Sequence, residues 1–290
     1  MQFIITGNRG LIGSHLKERL EKEGHRCIAT IDKREGQDIN YLAYAEPVEA
    51  DIMFHFGAQC KINQAIKNPI VQHLNNVDGT FNVMEFCRKN NIPKIVYASS
   101  SRVLSKERNP YVAGKLYGEE LCKAYHECYG INYIIIRPST VYGPCYDETG
   151  RALHNFIVNA LKGDNLIIYG DKNKTLDFTY IDDFIDGIML SMKKWNEDYN
   201  ISGEERKLID VAINIIDKTN SKSKIILLPP EIAQPQQVKV DTSKLRKMGF
   251  KPKIGIEEGI DRMVKWYQEH PAAWKYYEGS QGRIFHGNLI

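Results

Sequence analysis

Thr6-Gly7-Asn8-Arg9-Gly10-Leu11-Ile12-Gly13 stands directly after the apolar run Phe3-Ile4-Ile5 and opens a segment in which Leu11, Ile12, Leu16 and Leu20 share one helical face. A strand, a glycine turn and a helix in that order form the first unit of a Rossmann fold. Glycines serve there because the turn takes unusual dihedrals, because the backbone must approach a pyrophosphate, and because helix and strand pack closely. The helix N-terminus then offers free amides to the phosphates. Gly7, Arg9, Gly10, Leu11, Ile12 and Gly13 are thus the first candidate dinucleotide contacts.

Residues 27–31 read as a second strand ending in Asp32, about 20 residues past the glycines, where a carboxylate binds the adenosine ribose hydroxyls. That favours NAD. Arg9, Lys33 and Arg34 point the other way, since each can pair with a 2′-phosphate, so NADP stays as the alternative. Lys33 and Arg34 read equally well as solvated surface charges.

A second stretch, Tyr111-Val112-Ala113-Gly114-Lys115, carries chemistry. Tyrosine titrates near about 10 and is a poor base at neutral pH unless a cation stabilises its phenolate. Lys115 lies one helical turn on, on the same face. Such a tyrosine can take a proton from a sugar hydroxyl while hydride leaves the same carbon for a nicotinamide. Alone, the pair would read as surface residues of an amphipathic helix. The preceding apolar strand, residues 94–98, changes that reading because it ends in Ser99-Ser100-Ser101, any of which can offer a hydroxyl to the same oxygen.

With these residues in view, the chain resembles the extended short-chain dehydrogenases/reductases, in their NAD-dependent sugar epimerase and dehydratase group. The likeness runs to about Gln268. Asp38-Ile39 resembles the adenine-contacting pair, His55-Phe56-Gly57-Ala58 the end of the fourth strand beside the cofactor, and Asn76-Val77-Asp78-Gly79-Thr80 the helix that follows. Arg137-Pro138-Ser139-Thr140-Val141-Tyr142-Gly143-Pro144 is the most specific downstream match. Tyr169-Gly170-Asp171, the run from Asp177-Phe178 to Asp182-Asp183, and Asp241-Thr242-Ser243-Lys244 follow in the family's order. The resemblance implies Tyr111 as general acid/base, Lys115 as its activator and Ser100, three residues before Val103, as the hydrogen-bonding hydroxyl. Ser99 and Ser101 remain alternatives. It further implies cofactor contacts at Asp38, Ile39, Phe56, Gly57, Ala58, Asn76 and Pro138; substrate contacts are expected at Ser101, Arg102, Thr140, Arg151 and Lys174, where this chain departs from the family or offers compensating charge.

The departures from the family fall where substrate and reaction are set. Dehydratases place Asp-Glu after the catalytic hydroxyl, whereas Ser101 and Arg102 stand here, so elimination of water lacks its acid and base. Only ten residues separate Ser100 from Tyr111, which leaves the mouth of the site open or closed by other segments. The Asp32 to Asp38 connection leaves little room for a regular third strand, a condensation similar to that of 4-keto-sugar reductases. Thr140 replaces the amide that commonly follows Arg-Pro-x and cannot span its two contacts. Leu176 and Gln234 stand where two arginines often clamp a substrate diphosphate; Arg151, Lys172, Lys174 or Lys239 could compensate as point charges.

The expected fold class is α/β: a doubly wound parallel Rossmann sheet with a smaller C-terminal substrate-binding lobe. Residues 1–135, with a return at about 180–200, form the dinucleotide domain, and 136–290 mainly the lobe. Short strands are expected at 166–169 and 225–228 and helices at 208–219 and 256–268. The net charge of +3 has no basic stripe, which argues against nucleic acid. Six scattered cysteines, including Cys145 beside the substrate motif, fit reduced thiols of a cytoplasmic protein rather than a metal site. Neither a signal peptide nor a membrane span is expected, for no apolar run nears about 18 residues. Helices at 77–89 and 111–125 resemble the pair that forms a four-helix dimer interface in relatives, which implies a homodimer, and the tail with Trp274, Tyr276, Tyr277 and Phe285 suggests a packing surface. The expected activity is epimerisation of a nucleotide-linked sugar. A 4-keto-sugar reductase is the alternative, and a non-catalytic family member the third reading.

Overall fold

The computed structural model describes residues 1–146, 149–234 and 238–274. The first half contains β1 (Gln2–Thr6), α1 (Leu11–Lys22), β2 (Arg26–Ile31), β3 (Ile52–His55), α2 (Ile62–Lys67), α3 (Pro69–His73), α4 (Gly79–Lys89), β4 (Lys94–Ala98), α5 (Pro110–Tyr129) and β5 (Asn132–Pro138). The second contains β6 (Thr140–Tyr142), α6 (Ala152–Lys162), β7 (Leu166–Tyr169), β8 (Thr175–Tyr180), α7 (Ile181–Ser191), β9 (Glu197–Ile201), β10 (Glu204–Lys207), α8 (Leu208–Lys218), β11 (Ile225–Leu228), α9 (Ser243–Lys247) and α10 (Ile256–Glu269).

Among the described residues, six parallel strands form the main sheet in the order β2-β1-β3-β4-β5-β9. Alternate residues of a strand point to opposite faces, and both faces here are apolar. Phe3, Ile5, Phe54, Val96 and Ile136 face a core with Leu16 and Leu20 of α1 and Phe184 and Ile188 of α7. Ile4, Met53, Ile95 and Ile135 face another with Val83 and Met84 of α4 and Cys122 of α5. This two-sided burial is what makes the sheet doubly wound. Strand order reverses beside β1, so a crevice opens at the carboxyl ends of β1 and β3.

The strand ending at His55 is third in chain order, not fourth. Residues 33–51 hold two short 3₁₀ turns, Lys33–Glu35 and Ile39–Tyr44, whose first amides bond to the side chains of Asp32 and Asp38. Capping satisfies the backbone locally and removes the need for a ladder partner. The second turn packs on the helical rod formed by α3, a π turn at Leu74–Asp78 and α4, where a Cβ on Gly79 would stand 2.5 Å from Ile39 Cδ1.

The second half divides its elements. α7 packs on α1, and β9 closes the main sheet beside β5, so the chain returns to the large sheet after residue 180. The strands β10, β8 and β6 form a second sheet, and β11 pairs in parallel with β7, Ile225 opposite Leu166. Phe156, Ile168, Phe178, Ile260 and Met263 of this lobe belong to the same continuous core as Phe3 and Phe54, so lobe and sheet are packed as one body. Trp274 donates its indole N–H to the Tyr267 carbonyl at 3.0 Å; Tyr276, Tyr277 and Phe285 lie outside the described residues. Among the described residues no helix is long and apolar enough to cross a membrane, and no His/Cys/Asp/Glu cluster could hold a metal ion.

Candidate active site

A cleft of about 530 Å³ runs from the glycine turn to Tyr111. Each glycine of the turn has its own reason. Gly7 takes φ +73°, and a Cβ there would stand 2.7 Å from the Gly57 amide, so this position joins the ends of β1 and β3. A Cβ on Gly13 would lie 2.2 Å from the Gly7 carbonyl oxygen, so the first turn of α1 rests directly on the loop. Gly10 meets only the Gly7 oxygen at 3.3 Å and the Arg34 guanidinium at 3.9 Å, which leaves its outer side clear. Helix α1 starts there with no side-chain cap and no acidic residue in its first turn. Its free amides therefore suit a pyrophosphate, and the residues present fit a dinucleotide.

At the adenosine end, Ile31, Asp32, Lys33, Arg34, Gln37 and Ile39 line the cleft. Burial opposes the Asp32 charge, but hydrogen bonds from the side chain and backbone of Arg34 and the backbone of Arg9 hold its carboxyl below the usual range. Asp38 stands outside the lining and pairs with Lys33 at 3.1 Å. Asn76 also stands outside it. Its amide accepts from the Gln59 N–H at 2.8 Å and donates to the Gln59 carbonyl at 2.9 Å, fixing the loop after β3 from behind. Phe56, Gly57, Ala58 and Pro138 line the cleft, together with Cys60, Gln64 and Asn75, which the motifs did not single out.

At the other end, Tyr111 and Lys115 share one face of α5. Asn109 caps this helix, accepting from the Val112 N–H at 3.0 Å, and Pro110 pre-sets its first turn. The Tyr111 hydroxyl is buried, which raises it to about 12; Ser100, within hydrogen-bonding reach, and the charge of Arg102 oppose that rise. Burial lowers Lys115 to about 8, against the pull of Cys60 and Glu119. Its ammonium donates to the Ala98 carbonyl at 2.7 Å and lies 5.2 Å from the Tyr97 ring centre. Arg102 thus adds positive charge toward Tyr111, and Lys115 is tied to the end of β4.

The three serines separate by partner. Ser99 donates to Glu119, while Ser100 accepts the Arg102 N–H at 3.2 Å and faces Tyr111. Ser101 is buried at the start of a 3₁₀ turn. Behind them, His55 bonds to Thr6 Oγ1 at 2.7 Å and Thr80 Oγ1 at 3.2 Å. Burial, reinforced by Lys115, drives it down to about 3, so it is a neutral structural link.

On the substrate side, Arg151 lines the cleft beside Cys145, Tyr146 and Thr149. Arg102 is half-buried, and burial lowers its pKa; its charge faces Tyr111, Asp177 and Glu107, with no ion pair to these among the described residues. Lys174 is half-buried, and its pKa is lowered by burial and then by the charge of Arg102. Thr140 begins β6, opposite Phe178 of β8, and stands outside the lining, as do Ser100, Ser101, Arg102 and Lys174. Leu176 packs against the core, and Gln234 donates to Asn63 Oδ1 at 2.6 Å. With Asn109 Nδ2 donating to the Ala233 carbonyl at 3.2 Å, residues 233–234 dock across the short connection between Ser100 and Tyr111.

This combination of sheet, glycine turn and Tyr-Lys helix defines a dinucleotide-dependent enzyme of the extended short-chain dehydrogenase type. Residues 3–202 match the model of the NAD dependent epimerase/dehydratase family, and the chain belongs to that family. A putative UDP-glucose 4-epimerase of Methanocaldococcus jannaschii is 32% identical over 300 residues, spanning 92% of this chain and 98% of the relative. A UDP-N-acetyl-alpha-D-glucosaminuronate decarboxylase of Bacillus cytotoxicus is 30% identical over 92% of this chain and 97% of its own length. The crystal structure of the Thermus thermophilus UDP-glucose 4-epimerase in complex with NAD superposes with a TM-score of 0.84 at 25% identity, covering 92% of this chain and 99% of that one.

Proposed function

We propose that the protein is an NAD-dependent epimerase of a nucleotide-linked sugar, working through a transient keto sugar with Tyr111 as the acid/base. The observation that carries this is the Tyr111 hydroxyl beside Ser100, at the end of a cleft that begins at the glycine turn. Bound in that cleft, the dinucleotide supplies an acceptor and then a donor of hydride. Tyr111 takes the proton of a ring hydroxyl and returns it once the ketone has presented its other face. Ser100 holds the same oxygen, and Lys115 fixes the helix turn against β4. Arg102 and Lys174, with Arg151 in the cleft wall, hold the charged part of the substrate in place of the clamp that Leu176 and Gln234 cannot form. Ser101 and Thr140 supply neutral contacts. Dehydration is disfavoured, since Arg102 cannot act as a base.

The relatives support a UDP-linked sugar. Freshly purified protein, denatured and analysed by mass spectrometry, is expected to release NAD in stoichiometric amount, and incubation with UDP-glucose to give its C4 epimer by NMR. Turnover that consumes added NADPH would instead support the keto-reductase reading, which Arg9 and Arg34 favour. Ile70, Val71, Leu74, Phe81 and Tyr117 are exposed on the α3–α4 rod and α5, and they suit a homodimer face, to be read by sedimentation. Free cysteines suit a cytoplasmic setting.

A further inference from the structure

β11 carries Ile225-Ile226-Leu227-Leu228 on an open sheet edge. Among the described residues it pairs with β7 alone. Its ladder includes Leu166 N–H to the Lys224 carbonyl and Gly170 N–H to the Leu228 carbonyl, both at 2.9 Å, so Ile226 and Leu228 turn their peptide groups toward β7. By the period of two, the N–H and C=O of Ile225 and Leu227 point away from it. Ile225 packs on the core, but Leu227 on the same face is 50% exposed, and Ile167, Tyr169, Ile226 and Leu228 are exposed on the other face. Edge strands are normally guarded by charge, proline or a cover. The chain follows that rule elsewhere. β10, at the end of its sheet, is Glu204-Glu205-Arg206-Lys207, and β9, at the end of the main sheet, opens with Glu197-Asp198. β11 holds no charge, and Pro229 stops it only after Leu228. An unguarded apolar edge is a surface for pairing with another strand.

A second copy of the same strand fits this edge in the antiparallel sense. With Ile226 opposite the partner's Ile226, Ile225 stands opposite the partner's Leu227, and every outward N–H and C=O of both strands is bonded. Shifting the register one way sets Ile225 against the partner's Pro229, which has no N–H. Shifting it the other way sets Leu227 against the partner's Ser223, whose N–H is already bonded to Ser221 Oγ at 3.2 Å. In the first register the partner's Ile225 covers the exposed Leu227, and the two Ile226 side chains meet across the axis. The flanking charges agree. Lys222 and Lys224 precede the strand and Glu231 follows it, so antiparallel pairing sets the basic end of one copy beside the acidic end of the other, whereas parallel pairing would set like against like. One patch pairing with itself closes about a two-fold axis.

We propose that β11 joins two copies of this chain by antiparallel edge pairing about Ile226, so that two β7–β11 pairs become one continuous sheet. This surface is separate from the α3–α4 rod and rests on no reading of the cleft. The experiment is sedimentation of the full-length protein over a concentration series. Ile226→Lys sets two ammonium groups against each other at the axis and should lower the sedimenting mass by about twofold relative to wild type. Phe81→Asp, on the rod, leaves β11 intact, so Phe81→Asp/Ile226→Lys should have about half the mass of Phe81→Asp alone. Ile226→Cys serves if the lysine variant fails to fold. A non-hydrogen-bonded antiparallel pair holds its Cα atoms about 4.5 Å apart, within the disulfide range of about 4.4–6.8 Å. Mild oxidation should therefore link two chains through the introduced thiols, as read by peptide mapping, whereas Leu228→Cys should not link. Equal mass for wild type and Ile226→Lys, or linkage by Leu228→Cys as readily as by Ile226→Cys, overturns the proposal. Slow hydrogen exchange of the Ile225 and Leu227 amides, with a mass that Ile226→Lys leaves unchanged, would mean that another segment holds the edge and overturns it as well.

Discussion

Arg137 of β5 grips Glu119 of α5 through two parallel hydrogen bonds, Nε to Oε1 at 2.8 Å and Nη2 to Oε2 at 2.6 Å. Tyr111, Lys115 and Glu119 follow at four-residue spacing on one helical face, so this grip sets the depth at which the candidate acid/base stands. Arg137 also holds Asp198 of β9 at 2.7 Å, and Ser99 donates to Glu119. The arginine of the Arg-Pro motif is thus a tie between sheet and helix rather than a ligand contact.

Breaking that tie from one side leaves a buried charge without its partner. Arg137→Leu is expected to lower unfolding stability by about 3–5 kcal/mol in urea titrations. The double variant Arg137→Leu/Glu119→Leu should cost less than the sum of the two singles. Additive losses would show that the pair is not coupled.

Tyr111→Phe keeps the ring and removes the hydroxyl. Turnover should fall by roughly 10²–10⁴, with NAD affinity nearly unchanged. Ser100→Ala should lower kcat, whereas Ser99→Ala should mainly lower the melting temperature, because Ser99 is bound to Glu119. An active Tyr111→Phe enzyme would remove the site assignment.

The glycines of the turn should separate by readout. Gly13→Ala puts a methyl into the Gly7 carbonyl and should destabilise the fold by about 1–3 kcal/mol. Gly10→Ala, with its outer side clear, should fold and lose NAD affinity in calorimetry.

Two buried groups give pH slopes of the same sign in separate windows. His55 lies at about 3 in the folded protein and about 6.5 unfolded, so the unfolded chain binds more protons between those values. Stability should therefore fall as pH drops from about 6.5 toward 3, and His55→Gln should lessen that fall. Lys115 lies at about 8 folded and about 10.4 unfolded, so its contribution should likewise make stability rise with pH across that higher window. Denaturant midpoints across pH, for wild type, His55→Gln and Lys115→Met, check both slopes.

Much of the fold was legible because its signals are local. The apolar run before Gly7, the one-faced leucines of α1 and the strand before Ser99 each follow from steric and solvent preferences of neighbouring residues. Strands at 166–169 and 225–228 and the helix from Ile256 were readable for the same reason. The loss of a strand before His55 was legible in the short connection from Asp32 to Asp38, and the structure adds that both aspartates cap tight turns there, which makes the strand at His55 the third. Glu119 carried a signal in its spacing from Lys115, but nothing in sequence joins it to Arg137.

By itself the sequence determined the class of the fold, the glycine turn and the Tyr-Lys pair, since periodicity and dihedral preference act over a few residues. Only the tertiary structure decided which serine faces Tyr111, that Arg102 brings charge toward it, and that Arg34 fills the lone pairs of Asp32. Those outcomes depend on which polar groups are buried together, and buried groups choose partners across the chain by distance and desolvation rather than by order in sequence.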